Sequence, residues 1–196
     1  MSTDPYAKLL HLPDGRPVLV RPLRSDDVEP LTELFLSLSP ETRSCYGPHP
    51  FDRETAERLC VLADPKHPDR FVAVLDPEGE AKLIGYMILT REIDEGDQRR
   101  YAHHGPVLDL DACASFAPVI ADAYQELGLG TQMARHVLDC APQMGLRQVI
   151  LMGGVLHRNP RAKHVYEKLG FRQVGEFYSR NCPDELNYDM ILEFGR

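Results

Sequence analysis

The sequence predicts a single α/β domain with a mixed central sheet of six to seven strands and about four flanking helices. Three observations carry this. Short β-rich runs alternate with segments of helical period, in the order β–α–α–β–β–β–α–β–α–β–β. No internal repeat, low-complexity tract or linker breaks the chain. Its 196 residues suit one domain over 1–196, and a 43% hydrophobic content is enough for a sizeable core.

"RPVLVRPL", from Arg16, alternates around Val18 and Val20 and reads as the first strand. In "SDDVEPLTELFLSLS", Val28, Leu31, Leu34, Phe35 and Leu38 recur at helical spacing; Ser25 or Asp26 supplies the cap and Pro40 the end. "CYGPHPF" is a turn-rich loop, and "DRETAERLCVLA", from Asp52, a second short helix. "RFVAVLD" and "KLIGYMILTRE" form an antiparallel hairpin through "PEGEA". "IDEGDQRRYAHHGPVL" shows no period and reads as an irregular connection. "ACASFAPVIA" is a strand with Pro118 inside it, and a proline that removes a ladder donor implies a bulge, a splayed strand or an edge.

Leu129, Met133, Val137, Cys140 and Met144 then mark one face of a helix that Pro142 and Gly145 close. "RQVILMGGV" reads as a buried central strand. "NPRAKHVYEKLG" is a helix with Asn159 at its cap, Pro160 at its first position and Gly170 at its stop. "FRQVGEFY" and "NYDMILEF" close the chain as strands.

The totals narrow the function classes. Lys and Arg number 22 against 30 Asp and Glu, a net charge of −8. This argues against nucleic acid or an anionic membrane as partner and suits a cationic substrate. No apolar run approaches a membrane span, and the N-terminus lacks a signal peptide, so a cytoplasmic location is expected. Five scattered cysteines (45, 60, 113, 140 and 182), without CxxC spacing, argue against a disulfide framework or a zinc site.

The stretch "YQELGLGTQM", Tyr124 to Met133, places two glycines at the opening of a helix, where each costs about 1 kcal/mol relative to alanine. The first N–H groups of a helix have no internal partner and form a positive pole, so glycines there let an anion approach the backbone. A Walker loop is excluded, because Thr131 rather than a lysine follows Gly130. A Rossmann fingerprint is excluded by its sequel and by its place after the fourth strand.

Gln125-Glu126-Leu127-Gly128-Leu129-Gly130 matches the pattern Q/R-x-x-G-x-G/A and resembles the pyrophosphate-binding signature of the GNAT acyltransferase superfamily. Asn159, Ala162, Tyr166, Lys168, Gly170 and Phe171 resemble the family's second signature. Element order matches from about Pro17 to Phe194. The resemblance implies acetyl-CoA as cosubstrate, no metal, and a splayed pair of fourth and fifth strands. It implies that the N–H groups of Leu127, Gly128, Leu129, Gly130 and Thr131, in the loop that Gln125 and Glu126 open, hold the pyrophosphate. Pro118, Val119 and Ile120 would offer backbone groups to the pantetheine arm. Asn159 would bond the pantetheine or phosphate region, and Tyr166 would stand near the sulfur. It implies an N-acetyltransferase that transfers acetyl to a primary amine by direct attack in a ternary complex. A non-catalytic acyl-CoA-binding module is the alternative. The acceptor is a small-molecule amine, a protein N-terminus or a lysine. The run from Leu12 to Arg43 is also similar to the start of bacterial protein lysine acetyltransferase domains. The oligomeric state, a homodimer included, stays open.

Acyl transfer needs an unprotonated amine, a stabilised oxyanion and a proton for the leaving thiolate. Tyr166 is the donor the resemblance supplies; a packing role beside Val165 and Leu169 is its alternative. Many relatives carry a glutamate base at the position of Ala114. Asp111 is the first candidate to replace it, although strand alternation sets it on the opposite face; Asp109 and a water chain are alternatives. Glu126 departs from the basic or small residues of relatives, and Arg158 or Arg161 could compensate, though both read better as solvated. His103 and His104 are a base or substrate contact, or an exposed loop pair. His136 and Cys140 share metal spacing without a second pair, and Cys113 reads as buried packing rather than a nucleophile.

Overall fold

In the computed structural model, residues 4–104, 106–179 and 184–195 are described. Cys182 lies outside them, and the other four cysteines are free. The chain folds into two compact units, each built from two stretches: Met1–Leu89 with Pro118–Cys140, and Thr90–Ala117 with Ala141–Arg196.

The first unit is a layered α/β structure. Strands β1 (Lys8–His11), β2 (Pro17–Pro22), β3 (Arg70–Leu75) and β4 (Lys82–Thr90) pair antiparallel in sequence order. Val18 and Val20 point into the core from β2, as their alternation predicts. β1 escapes sequence reading because "KLLH" is too short to show a period. Helix α1 (Val28–Ser37) buries Leu31, Leu34 and Phe35. It begins after Asp27, and neither Ser25 nor Asp26 caps it. The Asp27 carboxylate is held by the buried Arg21 guanidinium at 2.7 Å through each oxygen, and by Arg24 N–H at 2.9 Å.

Pro40 does more than end α1. It sits in the first turn of a short helix α2 (Pro40–Ser44), whose Ser39 cap accepts from Thr42 N–H. Proline has no N–H to lose at that position. Helix α3 (Arg53–Val61) is capped by Asp52 through Thr55 N–H at 2.8 Å. The loop from Cys45 to Phe51 packs His49 and Phe51 against Phe35.

The second unit holds α4 (Glu95–His104), where sequence reading expected an irregular connection. The helix buries Asp97 and Tyr101 and lacks an apolar stripe, which is why periodicity misses it. The first part of strand β5 (Cys113–Ile120) pairs in parallel with β6 (Gln148–Leu151). β6 stops before Gly153 and Gly154, both at positive φ, and Val155–Leu156 forms a separate strand β7. Strand β9 (Leu186–Glu193) pairs antiparallel with β6, β7 and β8 (Arg172–Tyr178). Helix α6 (Pro160–Lys168) is capped by Asn159, which accepts from Ala162 N–H at 3.0 Å.

Candidate active site

In the first unit, the glycine stretch opens helix α5 (Leu129–Cys140). The first helical bond runs from Gln132 N–H to Gly128 C=O at 3.1 Å, so the N–H groups of Leu129, Gly130 and Thr131 precede the ladder. Glu126 and Gly128 both adopt left-handed φ, 63° and 77°. Alternating handedness turns successive N–H groups toward one concavity, the geometry that binds an anion. A Cβ at Gly130 would meet Ile120 Cγ1 at 3.3 Å, so glycine also lets the helix start close against the end of β5.

The Gln125 side chain is spent internally. Its Nε2 donates to Ile120 C=O and to Thr42 Oγ1, each at 3.1 Å. Gln125 therefore braces the loop through its side chain. Asp122 ties the same region to α2, accepting from Ser39 N–H at 2.9 Å and Thr42 Oγ1 at 2.7 Å. Val119 and Ile120 are buried, Pro118 is half-buried, and Ala121 N–H donates to Ile84 C=O at 2.9 Å.

In the second unit, β5 and β6 stay paired only from Cys113–Gln148 to Phe116–Leu151, with a last bond from Met152 N–H to Phe116 C=O at 3.0 Å. The pairing ends before Pro118, the residue that cannot donate. Tyr166 on α6 is half-buried, edge-on to Phe171, which stacks on Phe116. Burial raises its phenol pKa, so the hydroxyl holds its proton. Asn159 Oδ1 is committed to its cap.

Asp111 lies in the exposed turn before β5. Four residues of strand, about 13 Å, separate the first residue of β5 from Ala117, where the pairing with β6 has ended. Asp111 thus sits at the opposite end of the strand pair from its opening. Ala114 is fully buried beside Phe116, on the side of the strand that Tyr166 approaches through Phe171.

The other candidates separate clearly. Cys113 is buried and its thiol is pushed up to about 12, which leaves no thiolate for attack. His136 Nε2–H donates to Tyr6 C=O at 2.8 Å, a structural role. No three metal-ligating side chains cluster among the described residues. Arg158 pairs with Glu185 at 2.8 Å. His103 is exposed, whereas His104 is drawn into a buried charge network. That network escaped sequence reading; its one signal was acid at the start of "DEGDQRRYAHH" and histidine at its end, the order a helix dipole favours.

Comparison with known proteins shows the family and the fold. The sequence profile described as an acetyltransferase (GNAT) domain matches residues 18–172. An acetyltransferase of Pseudomonas aeruginosa is 30% identical over 152 residues, which cover 76% of this chain and 73% of that protein. The GNAT domain of Streptomyces lividans PAT superposes with a TM-score of 0.70 at 20% identity, over 99% of this chain and 100% of that one. The Salmonella typhimurium protein yncA, a structure containing its cofactor acetyl-CoA, superposes with a TM-score of 0.62 at 15% identity, over 91% and 95% of the two chains. No helix among the described residues is long and apolar enough to cross a membrane.

Proposed function

The chain belongs to the GNAT acetyltransferase family, and from that premise we propose that it transfers acetyl from acetyl-CoA to a primary amine by direct attack in a ternary complex. The observation that carries the cofactor reading is the α5 entry, where Glu126 and Gly128 turn left-handed and the N–H groups through Thr131 stand ahead of the helix ladder. These groups bind the pyrophosphate of coenzyme A. Pro118, Val119 and Ile120 supply backbone groups to pantetheine, and the Asn159 amide nitrogen reaches the pantetheine or phosphate region. Gln125 acts by bracing the loop, and Glu126 by its backbone.

Tyr166 protonates the leaving thiolate. Its raised pKa keeps the proton available across neutral and mildly alkaline pH. Asp111, exposed and far along the strand from the open end, takes no part in this scheme. The net charge of −8 favours a cationic amine, on a small molecule or a protein.

The test is direct. Acetyl-CoA and CoA should raise the melting temperature, whereas absence of any shift overturns the cofactor assignment. Release of free thiol with one member of a panel of polyamines, amino acids and lysine or N-terminal peptides supports transfer. Binding without thiol release across the panel favours a CoA-binding module instead.

A further inference from the structure

The family reaction needs a group that removes a proton from the acceptor ammonium, and Ala114 carries none. The geometry points to His104 as that group, oriented by Asp189. This rests on the acetyl-transfer reading above.

Four observations converge on this imidazole. Its Nε2 stands 3.4 Å from Asp189 Oδ2, and Asp189 is fully buried. The contact is electrostatic rather than a hydrogen bond, and a carboxylate, which can only accept, favours the tautomer with the proton on Nε2 and the lone pair on Nδ1. No hydrogen-bond partner of Nδ1 exists among the described residues. The His104 side chain keeps 18% of its surface exposed, so the ring is not sealed from solvent.

The seat is specific. Gly175 on β8 has an ordinary φ, and the three nearest atoms an added Cβ would meet all belong to the His104 ring. Glycine at 175 is therefore explained by the ring it admits rather than by its backbone.

Asp189 is itself braced. Arg100 donates to both its oxygens, from Nε at 3.2 and 3.1 Å, while also pairing with Asp97. The guanidinium lies over Phe177, 3.7 Å from the ring centre. Asp97 in turn accepts from Gly153 N–H at 3.1 Å, just beyond the end of β6. Burial raises the Asp189 carboxyl above its usual range, opposed by Arg100 and by His104. The groups against His104 are Asp189 from β9, His103 from α4 and the uncharged Gly175 from β8, with Arg100 and Asp97 acting on it through Asp189.

The position suits the reaction. Tyr101, Cys113, Ile150 and Ile191 form one cluster, on the α4 face of the sheet. Phe116 and Phe171 lie on the other face with Tyr166. Ile191 pairs with Ile150, which brings Asp189 level with Met152, where β5 and β6 part. The phenol and the imidazole thus approach this opening from opposite faces, one for the leaving sulfur and one for the attacking nitrogen.

The acceptor ammonium gives one proton to His104 Nδ1. Its nitrogen bonds the thioester carbonyl carbon, the C–S bond breaks, and the nitrogen loses a second proton. One of these two protons ends on the CoA sulfur by way of Tyr166, and the other goes to solvent.

The test compares wild type, His104→Ala and Asp189→Asn with the best amine found. Expected for His104→Ala are a kcat lower by about 100-fold or more, an unchanged Kd for acetyl-CoA, loss of the acid limb of the pH–rate profile, and rescue by free imidazole. Asp189→Asn should lower kcat less and retain the limb. A His104→Ala profile that matches wild type overturns the base while leaving acetyl transfer intact. A wild type that binds acetyl-CoA but acetylates no amine overturns both. Independently of turnover, long-range ¹H–¹⁵N spectra should show the His104 resonance, identified by its loss in His104→Ala, with the proton on Nε2. A proton on Nδ1 overturns the orientation on which the inference stands.

Discussion

The Ser39 hydroxyl donates to the Asp122 carboxylate at 2.6 Å, across more than eighty residues of sequence. Ser39 caps α2 and Asp122 precedes the glycine loop, so one carboxylate joins the start of a helix to the α5 entry. Thr42 adds a second donor at 2.7 Å and passes the connection to Gln125.

Asp122→Ala should therefore weaken acetyl-CoA binding although the Asp122 carboxylate is engaged by Ser39 and Thr42. The stability loss should be about 1 kcal/mol, since the site is largely exposed and screened. Despite an opposing desolvation cost, the Ser39 and Thr42 hydrogen bonds lower the Asp122 pKa below 3.8. A depressed pKa gives stability that is complete above 3.8 and is lost as pH falls through the folded value. Thermal melts of wild type should thus lose this contribution only below pH 3.8, and melts of Asp122→Ala should lack that component.

Legibility in the sequence followed the physics of each element. Helices α5 and α6 were readable because each buries a regular face or carries a full set of caps, Asn159 and Pro160 at α6 in particular. Helix α4 was not, because Asp97, Arg100 and His104 make a buried charge network where a sequence window looks for leucines. The loop conformation at the α5 entry was legible, since glycine placement reports positive φ and close approach. The bracing role of the Gln125 side chain was not, because its partners Thr42 and Ile120 are distant or main-chain. Asp111 attracted a role by proximity to Ala114 in sequence, which says nothing about which end of a strand pair opens.

The two loop glycines should respond differently to alanine. Gly128 has φ 77°, where a Cβ costs about 1–2 kcal/mol, so Gly128→Ala should lower both the melting temperature and cofactor affinity. Gly130 is helical, and alanine there gains up to about 1 kcal/mol of propensity, set against a 3.3 Å approach to Ile120. Gly130→Ala should keep the melting temperature near wild type while weakening acetyl-CoA by about tenfold or more, because its methyl group meets Ile120 and pushes the helix start, with its free N–H groups, off the end of β5. Equal affinities in calorimetry would remove the phosphate from this loop.

The buried pair Arg21–Asp27 is bidentate at 2.7 Å, with side-chain exposures of 9% and 6%. Removing one partner strands the other's charge. Asp27→Ala should cost about 3–5 kcal/mol in chemical denaturation. The double variant Arg21→Met, Asp27→Leu should recover most of that loss, since it removes both charges together. A double variant as unstable as the single one would mean that the pair specifies the α1 entry through Arg24 and the Pro22 carbonyl rather than through charge balance.

Tyr166 packs edge-on to Phe171 at 5.6 Å, so phenylalanine at 166 keeps the ring contact and deletes only the hydroxyl. If the hydroxyl donates to the departing thiolate, Tyr166→Phe should lower kcat by about 100-fold with little change in acetyl-CoA Kd. Burial raises the phenol pKa, so wild-type turnover should show no alkaline fall attributable to phenol ionisation near the ordinary value of 10.0. The deficit in Tyr166→Phe should shrink with acyl donors whose thiols are more acidic, because those leave without a proton. An undiminished kcat in the variant, or a deficit independent of the leaving thiol, would confine Tyr166 to packing against Phe171.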